Sequence, residues 1–175
     1  MASPTAAPTE AGHIPALAQR LVAMLTARHR WLAVAESCTG GLLAATITDV
    51  PGASAIFYGG VVSYANAAKE GWLGIDPRLL ATCGSVSSEV AMAMVEGLLA
   101  VPPVGLACAI TGIAGPSGGT PSKPVGTVYI AVGDRNGVAA THHHFPGDRA
   151  AVRGATVAQA LHNLLDRIAG GDVAA

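Results

Sequence analysis

Two short apolar runs, each followed at once by a glycine-rich stretch, constrain the fold of this chain most strongly. The runs are residues 31–35 (WLAVA) and 104–110 (VGLACAI). Continuous apolar segments of this length are typical of strands buried on both faces, as in a parallel sheet. Such sheets bind ligands beyond the carboxyl ends of their strands, so two parallel strands here would place both glycine-rich loops at one cleft.

The rest of the chain alternates predicted helices and strands, with a hairpin before the last helix. We expect helices at 13–30, 41–49, 88–100 and 149–168, a short helix with Asn66 as its N-cap, further strands at 57–64, 125–132 and 138–144, and an irregular stretch at 77–85. This order predicts an α/β fold, a three-layer α/β/α sandwich with a mixed, partly antiparallel sheet. The domain is expected at 13–169, between a disordered tail at 1–12 and a second tail at 170–175.

Composition narrows the class of protein. Hydrophobic residues make up 51% of the 175 residues but aromatic residues only 4%, so the core of one domain must consist mainly of Ala, Val, Leu and Ile. A net charge of −1 argues against a nucleic-acid partner. No apolar run is long enough to span a membrane, and the N-terminus does not resemble a signal peptide. Three cysteines without a CxxC pair fit a reduced, cytoplasmic setting.

The first glycine-rich stretch runs from Ser37 through Thr39 to Gly40 and Gly41, between a predicted strand and a predicted helix. The free N–H groups at a helix start attract anions, and phosphate is a typical ligand there. An ordinary helix cap would explain the same residues.

The second stretch runs from Thr111 and Gly112 to Gly119 and contains four glycines in nine residues. Glycines let the backbone approach a ligand closely, although a flexible surface turn is the alternative. Neither stretch is a Walker A or a GxGxxG motif.

Lys69 draws attention because the chain has only one other lysine and the surrounding sequence is mostly apolar. Burial would lower the pKa of its amine, and a neutral lysine can act as general base for a serine nucleophile. Tyr64 is placed to assist it, and the candidate serines are Ser37, Ser54 and Ser63. Cys38 is a rival nucleophile, which would form a Glu-Lys-Cys catalytic set with Glu36 and Lys69. The alternative for Lys69 is an exposed lysine on a short helix without a catalytic role.

The remaining candidates are basic side chains near the C-terminus. A histidine run, residues 142–144, could be taken for a metal site, but no cluster of Cys or carboxylate residues accompanies it, and we expect no metal. Arg149 and Arg153 lie one turn apart at the start of the last predicted helix, where they could bind an anionic ligand.

Taken together, these segments resemble the CinA C-terminal domain family. The matching motifs occur in family order: Ala35-Glu36-Ser37-Cys38-Thr39-Gly40-Gly41, Thr48-Asp49-Val50-Pro51-Gly52-Ala53-Ser54, Tyr64-Ala65-Asn66-Ala67-Ala68-Lys69, Gly84-Ser85-Val86-Ser87, Thr111-Gly112-Ile113-Ala114-Gly115-Pro116, Lys123-Pro124-Val125-Gly126-Thr127-Val128 and Phe145-Pro146-Gly147-Asp148-Arg149. The family often has Ser where this chain has Ala65, and His-Gly-Ala-Val-Ser where it has 83–87. Many members also carry a larger N-terminal domain, and the resemblance implies none of the activities of that domain for this chain.

The resemblance implies an amidohydrolase that converts nicotinamide mononucleotide to nicotinic acid mononucleotide and ammonia, without a cofactor. It implies a serine–lysine mechanism with Ser54 as nucleophile, Lys69 as base and Tyr64 as helper. The implied substrate-binding residues, with the phosphate held by the first four, are Ser37, Thr39, Gly40, Gly41, Thr111, Gly112 and Arg149. Two alternatives remain: a non-catalytic nucleotide-binding module related to competence, and a Cys38-dependent amidase. We expect no nucleic-acid or membrane partner and a homo-oligomer, most simply a dimer.

Overall fold

The computed structural model describes residues 14–171 and contains one five-stranded sheet. The expected tail at 1–12 lies outside the described residues, as do residues 172–175 of the second tail. The strands are β1 (Trp31–Glu36), β2 (Phe57–Val62), β3 (Val104–Gly112), β4 (Thr127–Asp134) and β5 (Gly137–His144). The helices are α1 (Ile14–Ala27), α2 (Leu42–Thr48), α3 (Asn66–Leu73), α4 (Pro77–Cys83), α5 (Ser88–Leu99) and α6 (Arg149–Gly171).

The sheet has the strand order β2-β1-β3-β4-β5. β1 pairs with β2 and with β3 in parallel, whereas β3–β4 and β4–β5 are antiparallel. The apolar runs form β1 and β3, and both strands are almost entirely buried because each lies between two others and is covered on both faces. The predicted mixed sheet is therefore confirmed, and its parallel part brings the ends of β1, β2 and β3 to one edge.

Helices cover both faces of the sheet. On one face α1, α2 and α6 contribute to a core that includes Leu21, Leu25, Val152 and Leu161. On the other face α5 packs against the middle strands through Val90, Met94 and Val95, and α3 and α4 complete that layer. Both cores consist mainly of aliphatic side chains, as the low aromatic content predicts. The three-layer α/β/α architecture is confirmed.

Three local predictions were wrong. The stretch expected to be irregular contains α4, which begins at Pro77 after the N-cap Asp76; its carboxylate accepts a hydrogen bond from the Arg78 N–H at 2.8 Å. Proline at the first helical position after such a cap is a helix-start signal. Asn66 is the first residue of α3 and not its cap, which is Ala65. α6 continues to Gly171, into the segment expected to be a tail.

The end of the sheet opposite the shared strand ends is fixed by an ion-pair network. Asp134, at the end of β4, accepts from Arg30 Nη2 at 2.8 Å and from Arg167 Nη2 at 2.6 Å. Arg30 also donates to the Gly105 carbonyl. The carboxylate thus joins the start of β1, the β4–β5 turn and α6.

Two further findings concern membranes and cysteines. No helix within residues 14–171 is long and apolar enough to cross a bilayer. Cys38, Cys83 and Cys108 are all free thiols.

Candidate functional site

The carboxyl ends of the three parallel strands carry the polar residues of the site. Ser37 follows β1, Ser63 follows β2, and Thr111 lies at the end of β3. The Ser37 N–H donates to the Ile110 carbonyl at 3.0 Å, which continues the β1–β3 pairing by one residue. The sheet therefore holds the backbone of Ser37 in place, and the two glycine-rich loops face one cleft as predicted.

Lys69 enters this edge from α3 and is buried, with only 1% of its surface exposed. Its Nζ donates to the Ser63 carbonyl at 2.7 Å, to Ser37 Oγ at 3.3 Å and, more weakly, to the Tyr64 carbonyl at 3.5 Å. No carboxylate within residues 14–171 forms an ion pair with it. Burial lowers the pKa of Lys69 below its usual range, against a smaller opposing effect of Cys38. The amine is therefore suited to accept a proton from Ser37.

The cleft above this pair has a volume of about 240 Å³. Its walls come from the Ser37–Cys38 turn, the loop between α4 and α5, and the second glycine-rich loop; they include Ser85, Val86, Thr111, Gly112, Gly115, Ser117, Gly118, Tyr64 and Arg149. Polar backbone and hydroxyl groups are thus concentrated around one buried serine–lysine pair, as at the sites of hydrolytic enzymes.

Arg149 closes one side of the cleft. Its guanidinium donates to the Gly115 carbonyl and to the hydroxyl of Tyr64, both at 2.9 Å. Both side chains are exposed at the cleft mouth, Tyr64 by 58%. Tyr64 therefore contacts Lys69 through its backbone carbonyl, while its hydroxyl contacts Arg149, which differs from the expected direct help to the lysine.

The start of α2 does not offer free N–H groups to a phosphate. Glu36 is buried, and its carboxylate accepts hydrogen bonds from the N–H groups of Gly41, Leu43 and Ala44 at 3.1, 3.0 and 2.8 Å. An anionic side chain of the protein itself occupies the positive end of this helix. The expected phosphate site at Gly40 and Gly41 is therefore wrong, because Glu36 already binds the N–H groups at the start of α2.

The turn itself is arranged to bring Ser37 to the cleft. Gly40 and Gly41 adopt φ values of +59° and +93°, which glycine tolerates without a steric penalty. Thr39 is fully buried, so its hydroxyl does not reach the cleft, and its carbonyl accepts from Arg153 Nη2 at 2.7 Å. Arg153 thus supports the turn from α6 and is not placed as a ligand contact.

Ser54 lies far from Lys69, and the expected meeting of these residues does not occur. It is an exposed residue of the short 3-10 turn Ala53–Ala55, which precedes β2. Lys69 contacts the residues that follow β2, and a six-residue strand is about 20 Å long. Ser54 therefore lies at the opposite end of the sheet, and the serine next to the lysine is Ser37. The predicted strand at 57–64 already separated Ser54 from Lys69 in the sequence, and its length was not taken into account.

The other rival nucleophile, Cys38, lines the cleft but is 4% exposed. Burial, with a further contribution from the Glu36 carboxylate, raises the pKa of Cys38 to about 11, so the thiolate is scarce at neutral pH. This disfavours a cysteine amidase.

The histidine run lies on β5, and none of its three residues lines the cleft. His142 stacks on Tyr129 with ring centres 4.8 Å apart, and His143 stacks on Phe145 at 5.4 Å. Within the part of the chain that the structure describes, no three His, Cys, Asp or Glu side chains form a group that could hold a metal ion.

Sequence reasoning missed several residues at the site. Ser85 and Val86 line the cleft, but Ser85 lies in the stretch expected to be irregular and neither side chain carries distinctive chemistry. The helix-capping role of Glu36 was also missed, because the carboxylate lies five to eight residues before the N–H groups that it binds, farther than an ordinary N-cap residue. Lys123 belongs to one of the family motifs but no role at the site was expected for it, yet its ammonium contacts the loop that carries Ser85 and Val86.

Comparison with known proteins places these features in a family. The sequence model of the CinA C-terminal domain matches residues 15–168. A CinA-like protein of Geobacter sulfurreducens is 53% identical over 137 residues, which are 78% of this chain and 33% of that protein. This chain thus spans about a third of the length of the curated relatives it matches.

Solved structures agree with the fold. The competence/damage inducible protein CihA of Agrobacterium tumefaciens superposes with a TM-score of 0.86 at 39% identity, covering 93% of this chain and 98% of that one. A CinA superfamily protein of Klebsiella pneumoniae superposes with the same TM-score at 34% identity, over 90% and 98% of the two chains. The chain belongs to the CinA C-terminal domain family.

Proposed function

We propose that this protein hydrolyses the carboxamide of nicotinamide mononucleotide, with Ser37 as the nucleophile and Lys69 as its general base. The observation that carries the proposal is the buried lysine whose Nζ lies 3.3 Å from Ser37 Oγ. Burial lowers the pKa of this lysine and so favours its neutral form, and a neutral lysine in contact with a hydroxyl can activate a serine. The family resemblance supplies the substrate, and the contacts of Ser37 and Lys69 supply the mechanism.

The reaction proceeds in two halves. Ser37 Oγ attacks the carboxamide carbon while its proton passes to Lys69 Nζ. The C–N bond then breaks, and the lysine returns the proton to the departing nitrogen, which leaves as ammonia. Water attacks the resulting ester under the same base, releases nicotinic acid mononucleotide and restores the serine hydroxyl. The steps use side chains of the protein and water alone.

Arg149 is the best candidate to hold the phosphate. Its guanidinium is at the cleft mouth, and one of its two hydrogen bonds is to the neutral hydroxyl of Tyr64. A phosphate oxygen is a stronger acceptor for a guanidinium than a phenol is, so the phosphate would replace Tyr64 on that nitrogen. Thr111 is less available, because its hydroxyl already donates to the Ser85 carbonyl at 2.6 Å.

The test is ammonia release from nicotinamide mononucleotide by purified full chain, with and without a chelator. Turnover that survives the chelator and is lost in Ser37→Ala supports the proposal. Binding of the nucleotide without any ammonia would instead favour a non-catalytic, competence-related module. The expected homo-oligomer stays a prediction, which sedimentation of the full chain would test.

A further inference from the structure

Lys123, the second lysine of the chain, links two loops of the cleft. It is half-buried, and its Nζ donates to the carbonyl of Cys83 at 3.1 Å and to that of Val86 at 2.6 Å. Its own backbone is fixed by a small turn, in which the Lys123 N–H donates to Thr120 Oγ1 at 3.0 Å and its carbonyl accepts from the Thr120 N–H at 2.9 Å. The ammonium is therefore held from one loop while it binds the other.

The segment 83–86 has all four of its carbonyls engaged. Besides the two bonds to Lys123, the Gly84 carbonyl accepts from Ser87 Oγ at 2.9 Å, and the Ser85 carbonyl accepts from Thr111 Oγ1 at 2.6 Å. The carbonyl of one residue and the N–H of the next belong to one planar peptide and point in opposite directions. The bonds from Ser87 and Thr111 therefore fix the N–H groups of Ser85 and Val86, while the bonds from Lys123 hold the two ends of the segment.

Unlike the four carbonyls of this segment, the N–H groups of Ser85 and Val86 have no hydrogen-bond partner among the described residues. Both residues line the cleft that contains Ser37 and Lys69. Both residues are half-buried, so their N–H groups are open to a ligand in the cleft, and such groups near a nucleophile are well suited to bind a negatively charged oxygen.

We propose that Lys123 is a positioning residue, which holds segment 83–86 so that the N–H groups of Ser85 and Val86 stabilise the oxyanion formed when Ser37 attacks. The inference rests on the proposed function for its nucleophile and extends it to the transition state. A lysine suits this task because its bonds to two carbonyls are charge-assisted and stronger than those of a neutral donor.

The experiment compares full-length variants by steady-state kinetics. Lys123→Met keeps the aliphatic stem and removes the donors, Lys123→Arg keeps a charged donor, and Arg135→Met removes an exposed cation at the β4–β5 turn as the matched control. Because the oxyanion exists only in the transition state, we expect Lys123→Met to lower kcat at least about tenfold and to change KM little. Lys123→Arg should recover much of the loss, and Arg135→Met should behave as wild type.

A second readout separates this inference from the choice of substrate. A fluorophosphonate phosphonylates an activated serine: the Ser37 oxygen bonds to phosphorus, fluoride leaves, and the serine proton passes to Lys69. Mass spectrometry of the labelled peptide should locate the adduct on Ser37, and labelling should be slower in Lys123→Met than in wild type. If wild type is labelled at Ser37 but releases no ammonia from the mononucleotide, the substrate is wrong and the labelling rates still test Lys123.

Other outcomes would overturn the inference. A Lys123→Met variant with the kcat and the labelling rate of wild type would contradict it. An equal loss of kcat in the Arg135→Met control would also contradict it, as would a change in Lys123→Met that is confined to KM. Absence of Ser37 labelling in wild type would overturn both proposals. If thermal melting shows that Lys123→Met does not fold, Lys123→Gln is measured in its place, because its side-chain amide retains a donor group. We expect its kcat to lie between those of wild type and an inactive variant. A kcat equal to that of wild type would contradict the positioning role of Lys123.

Discussion

Lys69 Nζ lies 3.3 Å from Ser37 Oγ, although 32 positions separate the two residues in the sequence. The contact exists because β1 and β2 are parallel neighbours, so the residues after both strands meet at one edge of the sheet. α3 starts three residues after Ser63 and carries the lysine back over that edge. The fold therefore brings into contact the two side chains that we propose as base and nucleophile, and of the three candidate serines it selects Ser37.

The pH profile reports the protonation state of Lys69. Burial disfavours the charged ammonium and lowers its pKa. Since only the neutral amine accepts the serine proton, kcat/KM should rise with pH through one ionisation below the ordinary lysine value of about 10.4. Rates of ammonia release between neutral and alkaline pH provide the measurement. A profile that is flat until about pH 10 would argue against a buried lysine base.

Lys69→Arg tests whether the proton or the charge matters. Arginine stays protonated at all accessible pH values and cannot accept a proton. The variant should lose several orders of magnitude in kcat, and Ser37→Ala combined with it should be little worse, because the two groups act as a unit. If the loss of kcat in the double variant equals the product of the losses in the two single variants, the residues act independently.

Arg149→Ala tests the phosphate contact at the cleft mouth. Loss of a bidentate-capable guanidinium should raise KM for nicotinamide mononucleotide by about tenfold or more, since a charge-assisted bond contributes about 1.5–3 kcal/mol. The same substitution should hardly affect nicotinamide riboside, which lacks the phosphate and should already be a poor substrate. An equal effect of the substitution on both compounds would place the phosphate elsewhere.

Asp134→Asn should weaken the fold without affecting catalysis. Burial by itself raises the pKa of Asp134, but hydrogen bonds from Arg167 and Arg30 outweigh it and hold the pKa well below its usual range. A folded-state pKa below the unfolded value stabilises the protein above about pH 4, and this stabilisation is lost as the pH falls further. We expect a loss of about 1–3 kcal/mol in the free energy of unfolding at pH 7.

Urea unfolding at pH 7 and at about pH 3 measures this effect, and the difference between wild type and Asp134→Asn should shrink at the lower pH. Because Asp134 lies at the far end of the sheet, kcat of the folded variant should equal that of wild type. A lowered kcat in a stable variant would show that the two ends of the sheet are coupled.

The fold was predictable from the sequence because its signals are local. Apolar runs, helix periodicity and the hairpin turn at 135–137 identified the sheet and most helices. α4 was missed because the Asp76-Pro77 start signal was overlooked among turn-forming residues. Lys69, Thr111 and Arg149 lie at one cleft, as expected. The expected meeting of Ser54 with Lys69 was wrong because the two residues flank the predicted strand 57–64, and the length of that strand separates them.

The phosphate site at α2 was wrong for a different reason. A helix start after a strand attracts anions only if its N–H groups are free, and here the chain's own Glu36 binds them. The competing acceptor lies one residue before Ser37, where it was considered only as a partner for a cysteine. A buried carboxylate next to a helix start thus has to be considered as an internal ligand before an external one is assigned.

The most direct test of the account is a comparison of two serine variants, Ser37→Ala and Ser54→Ala, assayed for ammonia release from nicotinamide mononucleotide. Both substitutions remove one hydroxyl, but only Ser37 contacts Lys69. We expect Ser37→Ala to lose at least about a thousandfold in kcat and Ser54→Ala to retain nearly all of it. An active Ser37→Ala together with an inactive Ser54→Ala would contradict the assignment of Ser37 and Lys69 as the catalytic pair.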